Sequence, residues 1–170
     1  RGLGDVYKRQ VGRDLTIAYG PIQIDGVEID PNIIDVGRRY FDMNEPNLNA
    51  IAQDGRYFIT TTSKQYDLIG IDAYRQPYIP FHLTTRQFFQ QVRDHLTPNG
   101  VAVINAGRTE TDYRLVDVIA STMKAVFPNV FVIDLPSPQI NSIVVGTNQP
   151  AELGNFAANA AVLDLSLIHI

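Results

Sequence analysis

The sequence predicts an α/β fold built on a mostly parallel sheet with a C-terminal antiparallel hairpin, and three observations carry that expectation. From Pro21 onward, short apolar runs alternate with segments of helical periodicity, the pattern of right-handed strand–helix–strand crossovers. The run VAVINA (101–106) is almost continuously apolar, as a strand covered on both faces is. The last two runs, VFVIDL (130–135) and INSIVVGT (140–147), lie a short turn apart and are expected to pair antiparallel.

IQIDGVEI (22–29) reads as a strand, followed by Asp30 as a helix N-cap and Pro31 at the first helical position. Ile33, Ile34, Gly37 and Phe41 then share one helical face. LNAIAQ (48–53) is the next strand, with a short helix near residues 56–62. YDLIGID (66–72) is the third strand. After a Pro-rich loop, Thr84 or Thr85 caps a helix whose Phe88, Phe89, Val92 and Leu96 form a core stripe, and TPNG (97–100) ends it. A further helix is expected from about Asp112 to Phe127, with Leu115, Val116, Ile119, Met123 and Val126 inward. VGRDLTIAYG (11–20) looks like the end of a helix preceding the first strand. NFAANAAVLD (155–164) is either a last helix or the start of a further segment. No internal repeat is present.

The two ends are related. The bases GGA GAT GTG TAT AAG AGA CAG encode Gly4 to Gln10, and their reverse complement begins with codons for LSLIHI, residues 165–170. Both tails look like one sequencing adapter translated from opposite strands. They are set aside, and with them a glycine pattern (GLG) and an apolar terminus that would otherwise suggest a nucleotide loop and a membrane anchor. The expected organisation is residues 1–10 adapter-derived, 11–150 one α/β domain, 151–164 a C-terminal tail and 165–170 adapter-derived.

The chain carries 14 basic and 18 acidic residues, a net charge of −4, and the N-terminal tail holds three of the basic ones, so no basic face recommends nucleic acid. With no cysteine there are no disulfides, thiolate zinc sites or cysteine nucleophiles. No apolar run within residues 11–164 approaches the roughly 20 residues that span a bilayer. A cytoplasmic setting is expected, the parent protein being free to be membrane-attached.

In open parallel sheets, ligands bind beyond the carboxyl ends of the strands. Glu28, Asp54 and Asp72 all stand at such ends. A carboxylate at Glu28 can accept from both hydroxyls of a ribose. Asp54 precedes Gly55, whose bare backbone admits a flat ring while the carboxylate accepts from an exocyclic amino group. Asp72 faces the space above the third strand. Each also has a plainer reading: Glu28 as a strand-end acid serving a helix dipole, Asp54-Gly55 as an ordinary turn, Asp72 as a loop cap. Asp30 is given only its cap. The joint pattern describes a nucleoside site with a reacting group beyond it. His82 lies in the loop over that site and is a candidate substrate contact, whereas His95 falls on a polar helix face and reads as solvated. Neither has metal-ligand spacing, and no serine sits in a nucleophile elbow. Tyr74, Tyr78 and Phe81 either wall a pocket or fasten the loop to the sheet.

VEIDP, QDGRYF, YDLIGIDAY and FFQQVRDHLTPNGVAVIN, in this order and spacing, resemble the spermidine synthase family of polyamine aminopropyltransferases from about Tyr19 to Thr147. The resemblance implies a Rossmann-like class I methyltransferase fold, and decarboxylated S-adenosylmethionine, or S-adenosylmethionine itself, as a substrate, with no metal. It places Glu28 on the ribose, Asp54 and Gly55 at the adenine, and Asp72 as the base that orients and deprotonates an attacking amine. Tyr74, Arg75, Gln76 and His82 are then candidate acceptor-binding residues. Family members usually continue from that aspartate into a second aspartate and a proline, where this chain has Ala73-Tyr74-Arg75-Gln76-Pro77. A guanidinium at Arg75 repels the far cationic end of a diamine, which puts putrescine as acceptor in doubt.

The expected function is therefore aminopropyl transfer to an amine or another small nucleophile. The alternatives are S-adenosylmethionine-dependent methyl transfer and a catalytically silent nucleoside-binding module of a larger protein. An NAD-binding domain would also use an acid near Glu28, but Asp54-Gly55 and the terminal hairpin argue against it. A homodimer is possible for the full-length protein. The fold's first strand, central between 22–29 and 66–72, and the glycine-rich loop after it are expected upstream of Val11, so the fragment itself is expected to be inactive and poorly stable. Residues near Asp5 to Gln10 would fill the gap, or the gap would close by non-native pairing.

Overall fold

The structure, a computed structural model, describes residues 4–72, 79–135 and 140–161, with side chains from Val11 onward. The chain divides into two compact units: residues 1–58 with 152–170, and residues 59–151.

In the first unit, α1 (Gly4–Tyr19) is followed by β1 (Ile24–Glu28), α2 (Pro31–Tyr40) and β2 (Leu48–Ala52). Helix α1 ends where Gly20 turns to φ +79°, a left-handed conformation that costs glycine nothing. Strands β1 and β2 pair in parallel, Ile24 beside Leu48 through Glu28 beside Ala52. The amide of Asn47, 6% exposed, bonds Thr16 Oγ1 at 2.9 Å and the Ile22 carbonyl at 2.7 Å, and so ties α1 to the start of both strands. Asp30 caps α2 as expected, accepting from the Asn32 N–H at 2.9 Å with Pro31 at the first helical position. Ile34 and Gly37 are the buried face of that helix. A C-terminal helix, α6 (Leu153–Ala160), starts with a capping pair, Glu152 before it and Asn155 in its first turn, whose side chains each bond the other's backbone N–H.

The second unit holds β3 (Tyr66–Ile71), a 3₁₀ turn (Phe81–Leu83), α4 (Arg86–Asp94), β4 (Leu96–Gly107), α5 (Arg114–Lys124), β5 (Asn129–Asp134) and β6 (Asn141–Thr147). Helix α3 (Gly55–Thr61) spans the division between the units and contributes Ile59 to the core of the second. The sheet order is β3-β4-β6-β5, with β3 and β4 parallel and β6 antiparallel to both of its neighbours. That is the expected parallel sheet closed by a C-terminal hairpin. Ala102, Ile104 and Ala106 of β4, with Ser142 and Val144 of β6, are almost fully buried. They belong to the side of the sheet that packs with Phe88, Phe89 and Val92 of α4 and Val116, Ile119 and Met123 of α5. Thr85 is the cap of α4, accepting from the Phe88 N–H at 3.2 Å.

Two local expectations are corrected. Helix α4 stops at Asp94, and Leu96 is buried on β4 rather than on the helix; Tyr66 pairs Leu96, Leu68 pairs Val101, and TPNG bulges out of a ladder that continues past it. His95 is not a solvated helix residue. Its ring nitrogens sit 2.8 Å from the Gln91 carbonyl and 3.1 Å from the Thr62 carbonyl, bracing α4 against the end of α3. The backbone from Gly4 to Gln10 continues α1. Among the described residues β1 pairs only with β2, and β3 only with β4.

Gly146 is the tightest glycine in the sheet: a Cβ there would lie 2.7 Å from Phe127 Cδ2 and 2.9 Å from Met123 Cε. Gly146→Ala is expected to lower stability by about 1–3 kcal/mol, the cost of overpacking a filled core, seen as a lower denaturant midpoint at unchanged m-value.

A polar cluster secures the hairpin. Ser142 Oγ donates to Asp134 Oδ1 at 2.6 Å, Tyr113 Oη donates to Asp134 Oδ2 at 3.0 Å, and Arg108 Nε donates to Ser142 Oγ at 3.1 Å with its guanidinium over the Tyr113 ring. The Ser142 hydrogen bond first, then that of Tyr113 and the nearby charge of Arg108, hold the Asp134 carboxyl below its ordinary value of 3.8. Arg114 similarly holds Asp112 at about 2. A folded-state value below the unfolded one gives stability present above pH 3.8 and lost as pH falls through and below it. The acid limb of thermal stability is expected to be shallower in Asp134→Asn than in the parent chain, measured as melting temperature against pH.

Candidate functional site

Glu28 is the last residue of β1 and stands beside Ala52 at the carboxyl end of β2; Asp54 follows two residues later on the same rim. The Gln53 N–H bonds the Glu28 carbonyl at 2.9 Å, which keeps the two chain ends together beyond the ladder. Glu28 Oε1 accepts from the Asp30 N–H at 3.0 Å, so the carboxylate is oriented by the turn that starts α2. Asp54 Oδ1 accepts from the Tyr57 N–H at 2.8 Å and caps α3. Glu28 thus has the strand-end duty that its plainer reading assigned, while Asp54, plainly read as part of a turn, is a helix cap. These hydrogen bonds fix the orientation of each carboxylate. A Cβ built on Gly55 meets no atom within 4 Å, so the space over its backbone is open.

Asp72 directly follows β3, at the carboxyl end of that strand in the other unit, and is exposed. Asn105 of β4 donates from Nδ2 to Asp72 Oδ1 at 3.2 Å, and Asn141 of β6 donates from Nδ2 to Asn105 Oδ1 at 2.9 Å. The structure brings Glu28 and Asp54 to one rim and Asp72 to the corresponding rim of its own sheet.

His82 lies in the 3₁₀ turn, half-buried, with its ring edge-on to Phe81 at 5.8 Å. Tyr74, Arg75 and Gln76 lie outside the described residues, as does Tyr78. Sequence reasoning missed Asn105 and Asn141. The available signal was position: Asn105 interrupts the apolar run VAVINA next to its carboxyl end, and Asn141 opens the strand that returns to that end.

A groove of about 550 Å³, lined by Gln65, Gln90, Arg93, Asp94, Leu96, Pro98 and Asn148, opens at the amino ends of β3 and β4, away from Asp72. Its Arg93 is engaged by Asn148 Oδ1 and the Val126 carbonyl. Among the described residues no three His, Cys, Asp or Glu side chains are grouped to hold a metal, and no helix is long and apolar enough to cross a membrane.

Known proteins agree on this framework. A probable polyamine aminopropyl transferase of Bifidobacterium longum is 36% identical over 119 residues, 69% of this chain and 26% of the relative. A polyamine aminopropyltransferase of Vibrio vulnificus is 30% identical over 131 residues, 75% of this chain and 43% of the relative. The chain therefore spans less than half the length of these curated relatives. Among solved structures, human methyltransferase-like protein 13 in complex with SAH superposes with a TM-score of 0.77 at 24% identity, covering 93% of this chain and 77% of that one. A spermidine synthase in complex with the transition state analogue AdoDATO does so with a TM-score of 0.73 at 18% identity, covering 86% and 54%. These likenesses show a Rossmann-like methyltransferase fold. The model of the spermine/spermidine synthase domain matches residues 13–152, most of the chain, and the protein belongs to that family.

Proposed function

We propose that the full-length protein transfers an aminopropyl group from decarboxylated S-adenosylmethionine to an amine. The observation that carries the reading is the acid at the carboxyl end of each of β1, β2 and β3, in a chain whose relatives are named polyamine aminopropyltransferases. Glu28 accepts from the ribose hydroxyls, and Asp54 with the open backbone at Gly55 receives the adenine. Asp72 orients the acceptor amine and takes its proton.

The step is a direct displacement. The neutral amine nitrogen forms a bond to the propyl carbon adjacent to the sulfonium, the carbon–sulfur bond breaks, and its electron pair neutralises sulfur, releasing methylthioadenosine. The attacking nitrogen needs its lone pair, which is why a carboxylate that removes a proton accelerates the reaction. The displacement needs no metal. Tyr74, Gln76 and His82 are the proposed acceptor contacts, and residues 11–150 the domain that carries them.

Arg75 favours a second reading, in which the same site serves methyl transfer from S-adenosylmethionine or only holds a nucleoside. Release of methylthioadenosine from the full-length protein, measured against diamines of increasing length, separates these. Aminopropyl transfer predicts turnover with at least one amine, and Arg75→Asp is expected to raise kcat/KM for a short diamine by about tenfold or more as a repelling charge becomes an attracting one. No methylthioadenosine release with any amine leaves the methyl-transfer and binding-module readings, which formation of S-adenosylhomocysteine from S-adenosylmethionine then tells apart.

A further inference from the structure

We propose that Asn105 and Asn141 are positioning residues for Asp72, forming an amide relay across three adjacent strands that fixes the direction of its carboxylate. This deepens the reading of Asp72 as the base and rests on it.

The relay follows from topology. In the order β3-β4-β6, strand β6 runs antiparallel to the other two, so its amino end meets the carboxyl ends of β3 and β4 at one rim. Ile71 pairs with Ile104, which brings the next residues, Asp72 and Asn105, side by side. Asn105 pairs with Ile143, and Asn141 lies two residues before Ile143, on the same face of the sheet. Alternation along β4 sends Ile104 and Ala106 into the core and leaves Asn105 on the other face with Asp72.

The two hydrogen bonds have a direction. A primary amide presents an acceptor on one side and donors on the other, so what holds one end decides which atom faces the opposite neighbour. Asn141 donates to the Asn105 oxygen at 2.9 Å, and this turns the Asn105 NH₂ toward Asp72 Oδ1, 3.2 Å away. A flipped Asn105 would set its oxygen against the carboxylate, two acceptors face to face. Asp72 is exposed, so packing does not hold its rotamer. The donated hydrogen bond engages one carboxylate oxygen and thereby fixes where the second points. Asn141 never needs to touch the substrate: it acts through Asn105.

The test uses side-chain amide NMR signals and steady-state kinetics of the full-length protein. Asp72→Ala is an exposed change that leaves the fold intact, and it is expected to shift the Asn105 NH₂ resonances; Asn141→Ala should shift them too. In kinetics, Asn105→Leu and Asn141→Ala are each expected to lower kcat by about 10- to 100-fold, the cost of a misdirected catalytic group, with methylthioadenosine affinity changed less than about twofold. The double variant should be no slower than Asn105→Leu, because one residue acts through the other. Asn141→Asp, which replaces the donor by an acceptor of equal size, is expected to turn the Asn105 amide over and to be slower than Asn141→Ala. Asn105 signals indifferent to Asp72→Ala, or single-variant losses that multiply in the double variant, would overturn the relay. If the parent protein binds methylthioadenosine yet transfers nothing, the reading of Asp72 as a base fails instead, and the resonances alone judge the relay.

Discussion

Asp72→Asn is expected to reduce kcat by about 10²- to 10⁴-fold, the usual worth of a positioned general base, while methylthioadenosine binds as before. The exchange keeps size and shape. It removes the charge and the lone pair that accepts the amine's proton, and it sets an amide NH₂ or oxygen against the Asn105 donor at 3.2 Å. Because the proposed nucleoside contacts, Glu28 and Asp54, belong to the other unit, the loss should appear in kcat and not in nucleoside affinity. The rate should partly recover at alkaline pH, where the acceptor amine loses its proton to solvent and the missing base matters less. Unchanged turnover in Asp72→Asn would remove this residue from the chemistry.

Glu28→Gln should have the complementary signature: nucleoside affinity weaker by about 10- to 100-fold, matching the 1.5–3 kcal/mol typical of hydrogen bonds to a charged group. A glutamine offers one oxygen where the carboxylate offers two and carries no charge, so both ribose hydroxyls lose a charge-assisted acceptor and one must accept from a neutral amide instead. Its oxygen can still receive the Asp30 N–H that Glu28 Oε1 now takes at 3.0 Å, so the turn into α2 survives and the melting temperature should barely move. An affinity loss accompanied by unfolding would mean that Glu28 is a structural strand-end acid and nothing more.

Much of this molecule was legible in its residues because local chemistry and tertiary structure agree. Asp30-Pro31 and Thr85 announce helix starts with groups that satisfy otherwise unpaired N–H donors, and those bonds form within three residues of the cap. The hairpin was legible because two apolar strands joined by a short connection have little choice but to pair with each other. The carboxyl-end acids were legible because strand ends are marked by the return of polar residues.

What escaped depended on partners distant in sequence. TPNG carries turn chemistry, but the ladder between β3 and β4 resumes around it, since Leu96 and Val101 are both in register with β3. Leu96 falls four residues after Val92, so a helical stripe and a buried strand predict the same apolar residue there. His95 was read from its own face, whereas its bond to the Thr62 carbonyl comes from 33 residues away. Asn47, Asn105 and Asn141 are equally mute. An amide gives no periodic signal, and its partners exist only once strands 25 to 36 residues apart are side by side.

The most direct test is calorimetric titration of the full-length protein with methylthioadenosine, set beside Glu28→Gln. A nucleoside lying over the strand-end acids predicts saturable one-site binding that the substitution weakens by tenfold or more. Absence of binding up to about 1 mM, where the affinity would be worth only about 4 kcal/mol, or binding that ignores Glu28→Gln, would contradict it.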